Sequence, residues 1–138
     1  GRRINDGMGE YVVSRTVRGM ISKDIPVKGA RVLVMGLTFK ENCPDLRNTR
    51  VVDIIKELES YGIEVDVYDP WVNSAEAKRE YGLEMINLPK PQGYDAMIVA
   101  VAHDEFVQED IANVYGKSQS IVFDVKGILP RSAGALRL

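Results

Sequence analysis

The sequence predicts an α/β domain with a doubly wound parallel sheet between two layers of helices, a Rossmann-like αβα arrangement. Three observations predict it. Arg31–Met35 and Ala96–Val101 are almost wholly apolar runs with β-branched residues, the pattern of strands buried on both faces. Strand-like runs alternate with helical stretches of about ten residues, which marks βαβ units. Right-handed crossovers between such units put helices on both faces of the sheet.

Taken in order, Ile4, Met8, Tyr11, Val12, Val17, Met20 and Ile21 recur mostly at three- and four-residue spacings, one face of a helix running to about Ser22. No sheet is evident for this helix to cover, and it is expected to be the tail of a neighbouring domain. Lys23–Ala30, with Pro26 and Gly29, reads as a linker. Gly36 closes the first strand. Thr49–Tyr61 is a helix with Val51, Ile54, Ile55 and Leu58 on one face, Asn48 or Thr49 as its cap and Gly62 as its stop. Ile63–Val67 alternates strictly, so this strand has one wetter face. Ser74–Tyr81 is a short helix capped by Ser74 and stopped by Gly82. Leu83–Gly93 is a loop that includes a one- or two-residue edge strand at Met85-Ile86. After the Ala96–Val101 strand, Asp104 caps a helix over Glu105–Tyr115, and Ser120–Asp124 is the last strand. The tail beyond Gly127 carries little pattern.

Composition bounds the function. The 138 residues suffice for one domain. A formal charge of −2 offers no footprint for nucleic acid. One Cys and one His exclude an internal disulfide and a zinc-finger-type site. No run reaches the length of a membrane span, and no signal peptide is present, so a cytoplasmic location is expected. The chain starts at Gly1 inside a helical pattern, which leads us to expect a piece of a longer protein.

Open parallel sheets bind ligands beyond the carboxyl ends of their strands, at the topological switch point. Gly36–Thr49 is a strand-to-helix connection far longer than the usual two to six residues. Lys40 is a mobile point charge suited to phosphate, Arg47 a planar fork suited to a diphosphate or carboxylate, and Phe39 a flat apolar surface. The residue types alone leave two readings open, an anion-binding loop and a solvated one. Lys126, just past the last strand, faces the same cleft as Lys40 if the strands are parallel, and it too reads as phosphate-binding or solvated. The G-x-G-x-x-G fingerprint is absent after the first strand, which argues against a primary NAD site here. Asp69 reads as a turn former, His103 as structural, Trp71 as packing and Cys43 as non-catalytic.

These residues resemble a known family. Gly36-Leu37-Thr38-Phe39-Lys40 through Asp45-Leu46-Arg47-Asn48-Thr49 is similar to the G-x-x-F-K-x-x-x-x-D-x-R-x-[ST] signature of the UDP-glucose/GDP-mannose dehydrogenase family. Tyr68-Asp69-Pro70, Ala102-His103-Asp104-Glu105-Phe106 and Phe123-Asp124-Val125-Lys126 resemble its later signatures, and Gly1–Met8 resembles the end of its central helix. The wording is closest to the branch that oxidises UDP-N-acetylhexosamines for capsular and surface polysaccharides. The resemblance implies residues 1–28 as the tail of a central dimerisation helix plus linker, and 29–138 as a C-terminal UDP-sugar-binding domain. It implies a parent that takes the sugar C6 alcohol to a carboxylate with two NAD⁺, on a catalytic Cys in a G-G-x-C motif that this chain lacks. No residue here is then catalytic, and the chain alone is expected to be inactive. Phe39 and Lys40 match residues that contact the UDP-sugar. Lys126 stands where many relatives carry an Arg on the sugar nucleotide. Arg47 matches an Arg that reaches the NAD, itself bound mainly by an N-terminal domain. The parent is expected to be a homodimer or larger. Two other readings are a receiver-like regulatory module, which would need an acidic cluster after the first strand, and a stand-alone nucleotide- or CoA-binding domain.

Overall fold

β1 (Arg31–Met35) and β3 (Tyr94–Val99) lie side by side at the centre of a five-stranded, all-parallel sheet in the computed structural model. Residues 2–107 and 110–138 are described, with side chains from residue 7 onward. Ile4, placed by its spacing on the helix face, falls outside the described side chains. β2 (Glu64–Tyr68) flanks β1, while β4 (Gly116–Asp124) and then β5 (Leu136–Arg137) follow β3, giving the order β2-β1-β3-β4-β5.

Period-two alternation sorts the strand side chains into two cores. Val32, Val34, Ala96, Ile98, Ile121 and Phe123 point to one face. Leu33, Met35, Met97, Val99 and Val122 point to the other. Register keeps each row aligned: Val34 lies between Val67 and Ile98, and Ile98 faces Phe123. Fully burying such a side chain is worth about 1.5–3 kcal/mol. Every residue of β1 after Arg31 is buried, because β1 has a strand on each side and helices above and below. β2 is an edge strand apart from a single bridge between Val67 and Met85, and it stays half wet as its alternation predicts.

The first face is covered by α1 (Arg2–Ser22) and α2 (Val51–Ser60). Here the structure corrects the expectation that the first helix has no sheet to cover. Gly9, Val12, Val13, Thr16, Val17 and Met20 form its buried stripe, whereas Tyr11 and Ile21 are exposed. The stripe is one turn-spaced face, and Gly9 makes it possible: a Cβ there would stand 3.1 Å from the backbone carbon of Asp53 in α2. Thr16 is satisfied by donating to the Val12 carbonyl. Arg15 lies over the Phe123 ring and donates to the Arg137 carbonyl, which ties the helix to β4 and β5.

α3 (Ser74–Tyr81) joins the same core through Ala77. Its cap is Asn73, whose side chain accepts the Glu76 N–H, and not Ser74. α2 likewise begins after Arg50; Thr49 still serves it, its hydroxyl accepting the Val51 N–H. The second face carries α4 (Asp104–Val107) and α5 (Ile111–Tyr115), in place of the one continuous helix expected over 105–115. Asp110 departs from helical backbone, with ψ at 81°. β4 is longer than expected because Gly116 also pairs with Tyr94, across a register shift that precedes Ile121. The tail holds a one-turn 3₁₀ segment, Arg131–Ala133, and β5, which the sequence pattern did not reveal: two residues are too few to alternate.

Candidate functional site

β1 and β3 are neighbours whose following connections diverge, since β2 and β4 lie on opposite sides of them. A crevice opens between the two at their carboxyl ends. Gly36 is what lets the connections start there. Its φ is +102°, and a Cβ would stand 2.6 Å from the Val101 Cβ. No other residue fits that approach.

The long loop after Gly36 is folded around a buried acid. One carboxylate oxygen of Asp69, Oδ2, accepts the N–H groups of Leu37 (2.7 Å) and Thr38 (3.2 Å); the other, Oδ1, accepts that of Trp71 (2.8 Å). His103, with no exposure, brings Nε2 to 2.9 Å from the same Oδ2 and accepts the Asn42 N–H at Nδ1 (2.9 Å). An acceptor nitrogen carries no proton, so the ring proton sits on Nε2 and points at the carboxylate. Thr38 donates its hydroxyl to the Lys40 carbonyl. Burial would raise the Asp69 carboxyl, but the His103 hydrogen bond and the Leu37 and Trp71 amides outweigh it and hold it below the ordinary carboxylate value. The Trp71 ring stacks on His103, with centroids 6.0 Å apart, and Phe106 meets His103 edge-on. Asp69, His103 and Trp71 are thus joined in one hydrogen-bonded and stacked cluster.

A second buried acid shapes the loop after β4. Asp124 accepts the N–H groups of Gly127 (2.9 Å), Ile128 (3.1 Å) and Leu129 (2.8 Å). Lys126 is presented at the crest of that turn.

Between the two loops lies a cleft of about 540 Å³. Phe39 and Lys40 line it from the first loop and Lys126 from the last, while Arg50 and Val51 open the amino end of α2 onto it. Met8, Ile54, Val101 and Val125 supply an apolar floor. Among the described residues lining it three are cationic and none is acidic. A helix amino end adds further positive potential, so the cleft is built for an anion joined to an apolar or flat group. Phe39 is 55% exposed, an apolar surface open to a ligand. A larger cavity, about 760 Å³, sits by the start of β4 and the end of α1, away from the strand carboxyl ends where this fold places ligands.

Phe39, Lys40 and Lys126 are therefore brought together, and Arg47 is not. Its side chain is 85% exposed and lies flat on Asp45 through two hydrogen bonds, Nε to Oδ1 (3.0 Å) and Nη2 to Oδ2 (3.2 Å). That contact lowers the Asp45 carboxyl and raises the Arg47 guanidinium. Cys43 is a free, half-buried thiol in the same loop. Sequence reasoning missed Met8, Asn48 and Arg50 as lining residues. Met8 arrives from a helix thought to belong elsewhere; Arg50 was legible as the residue just before the α2 apolar stripe.

A dinucleotide would need the amides of the first turn to face its pyrophosphate. The Leu37 and Thr38 amides are instead turned inward to Asp69, so this turn does not fit a primary NAD site.

A doubly wound α/β domain with a cationic cleft at its switch point defines the class. The chain belongs to the UDP-glucose/GDP-mannose dehydrogenase family: residues 33–131 match its UDP binding domain. It is 53% identical, over its whole length, to a UDP-N-acetyl-D-glucosamine 6-dehydrogenase of Pseudomonas aeruginosa and 48% identical to one of Salmonella typhi, covering 33% of each. It superposes with a TM-score of 0.76 on a UDP-D-ManNAc dehydrogenase from Pyrococcus horikoshii, at 25% identity, covering 94% of this chain and 29% of that one. The chain thus spans about a third of the length of the relatives it matches. No helix among the described residues is long and apolar enough to cross a membrane.

Proposed function

We propose that this chain is the sugar-nucleotide-binding part of an NAD-dependent UDP-sugar 6-dehydrogenase, acting on a UDP-N-acetylhexosamine for surface polysaccharide synthesis in the cytoplasm. The names carried by the two bacterial relatives favour UDP-N-acetyl-D-glucosamine. The observation that carries the reading is the convergence of Phe39, Lys40 and Lys126, from loops some 86 residues apart in numbering, on one cleft at the switch point. Lys40 and Lys126 neutralise the diphosphate, and the amino end of α2 adds its dipole. Phe39 and the apolar floor suit a base or sugar face.

Residues 1–28 are assigned to the tail of a central dimerisation helix plus linker, and 29–138 to the nucleotide domain. In the whole enzyme, NAD is held mainly by another domain and supplies hydride acceptance at the sugar C6. This chain's part is to bind the UDP half and fix the sugar against that centre. Arg47 does not line the UDP cleft and is exposed, a place suited to an interdomain contact with NAD. The whole protein is taken to assemble as a homodimer or larger.

Calorimetric titration of the chain with UDP, UDP-N-acetylglucosamine, GDP and NAD⁺ at low salt tests this. Binding of the uridine ligands, weakened in Lys40→Ala, is expected. Preference for GDP or NAD⁺ overturns the substrate reading.

A further inference from the structure

His103 is the ring on which three separate segments meet. Thr38 and Asn42 approach it from the loop after β1, Asp69 and Trp71 from the end of β2, and Phe106 from α4. Its two nitrogens do different things. Nε2 faces the carboxylate of Asp69, which the Leu37, Thr38 and Trp71 amides already hold in place. Nδ1 accepts a single bond, from the Asn42 amide.

That bond falls at a left-handed residue. Asn42 has φ +53°, a conformation that Asn adopts more readily than most other side-chain-bearing residues. It is held from both sides: its N–H by His103, and its Oδ1 by accepting the Asp104 N–H at 3.0 Å. Phe39 and Lys40 lie in the short span between Thr38, pinned to Asp69, and Asn42, pinned to His103. A span fixed at both ends, with the Phe39 N–H also donating to the Asp45 carbonyl at 2.8 Å, has its backbone ordered before binding, so only the side chains remain to be ordered.

We propose that His103 is a positioning residue for the sugar-nucleotide site: its Nδ1, by accepting the Asn42 amide, holds the Phe39-Lys40 turn in its binding shape. This rests on the reading of the cleft as a UDP site. The relevant feature is one acceptor atom, and the bulk of the ring is secondary.

Two conservative variants separate the two nitrogens. His103→Asn keeps an acceptor near the Nδ1 position and loses the Asp69 contact. His103→Gln reaches the Nε2 position and loses the Asn42 contact. Each is checked for folding by circular dichroism, then titrated with UDP and measured for amide exchange at Phe39, Lys40 and Asn42. His103→Gln is expected to weaken UDP about tenfold and speed exchange in the turn by a similar factor, the scale of one lost hydrogen bond. His103→Asn is expected to stay near the parent chain in both. Equal loss in the two variants, retention in both, or the reverse order overturns the proposal. A measurement on the unsubstituted chain needs no variant: ¹⁵N shifts are expected to report His103 protonated at Nε2, with a scalar coupling from Nδ1 to the Asn42 amide. The opposite tautomer overturns the proposal. If the unsubstituted chain fails to bind UDP, the cleft is not a UDP site in this chain on its own, while exchange and tautomer still decide the role of His103.

Discussion

Asp69 and Asp124 are both buried carboxylates at the carboxyl end of a strand, and both fold the loop that carries a cleft lysine. They differ in reach. Asp124 accepts from Gly127, Ile128 and Leu129, three to five residues on, with its first two donors in a turn open to water, and its farthest partner is Arg137 of β5 at 3.9 Å. Asp69 accepts from Trp71 nearby, but also from Leu37 and Thr38, more than thirty residues earlier, and from His103, thirty-four later. Of these partners Leu37, Thr38 and His103 are buried, while Trp71 is exposed. A local acid builds a turn; a long-range one welds two loops together at the switch point. The penalty for losing each acid follows from how well water can replace it.

The largest expected effect is therefore Asp69→Ala. It orphans buried amides and the His103 N–H, and we expect a loss of about 3–5 kcal/mol in chemical denaturation, together with loss of UDP binding. Asp124→Ala is expected to cost only about 1–3 kcal/mol, because solvent reaches Gly127 and Ile128. Equal losses would break the comparison. Next come the lysines. Lys40→Ala and Lys126→Ala are each expected to lower UDP affinity by about 1–3 kcal/mol in titration while leaving the melting temperature in place. A fall in stability with unchanged affinity would mean the loops matter and their charges do not.

A smaller effect concerns pH. The Asp69 carboxyl is lower in the folded chain than its ordinary value of about 3.9. Its contribution is complete above that value and is lost as pH falls through the lowered one. Asp69→Asn, though less stable throughout, is expected to show a shallower decline of melting temperature below about pH 4. An unchanged slope would remove the shift. Smallest is Arg47→Ala: the Arg47 side chain is 85% exposed and does not line the cleft, so UDP affinity of this chain is expected to stay unchanged. If the whole protein is the dehydrogenase proposed above, the same change in it is expected to raise the KM for NAD. A loss confined to UDP would return Arg47 to the nucleotide cleft.

The two acids also show what was legible in the sequence. Asp69 before Pro70 reads as a turn former, whereas Asp124 reads only as the end of the last strand; both shape turns. That Asp69 reaches the first loop required the β1–β2 register, which sets Met35 beside Tyr68 and so Gly36 beside Asp69. Phe39, Lys40 and Lys126 were legible as candidates because they follow strand ends. Their union in one cleft was conditional on parallel strands. Arg47 was legible as a planar cation suited to an anion; its pairing with Asp45 depends on the local turn. The first helix misled because its outward Tyr11 and Ile21 blurred the stripe at Val12, Val13, Thr16, Val17 and Met20. Hydrophobicity alone does not say which apolar residues a neighbour will cover.

The sequence by itself determined the first four strands, their alternation with helices, the switch-point loop and its cations. These rest on period, apolar content and turn chemistry, which act over a few residues. Tertiary structure decided that α1 covers the sheet, that a two-residue β5 closes its edge, and that His103 and Asp69 weld the loop carrying Phe39 and Lys40. Those outcomes need groups distant in the chain to meet in the absence of water, and no local pattern encodes such a meeting.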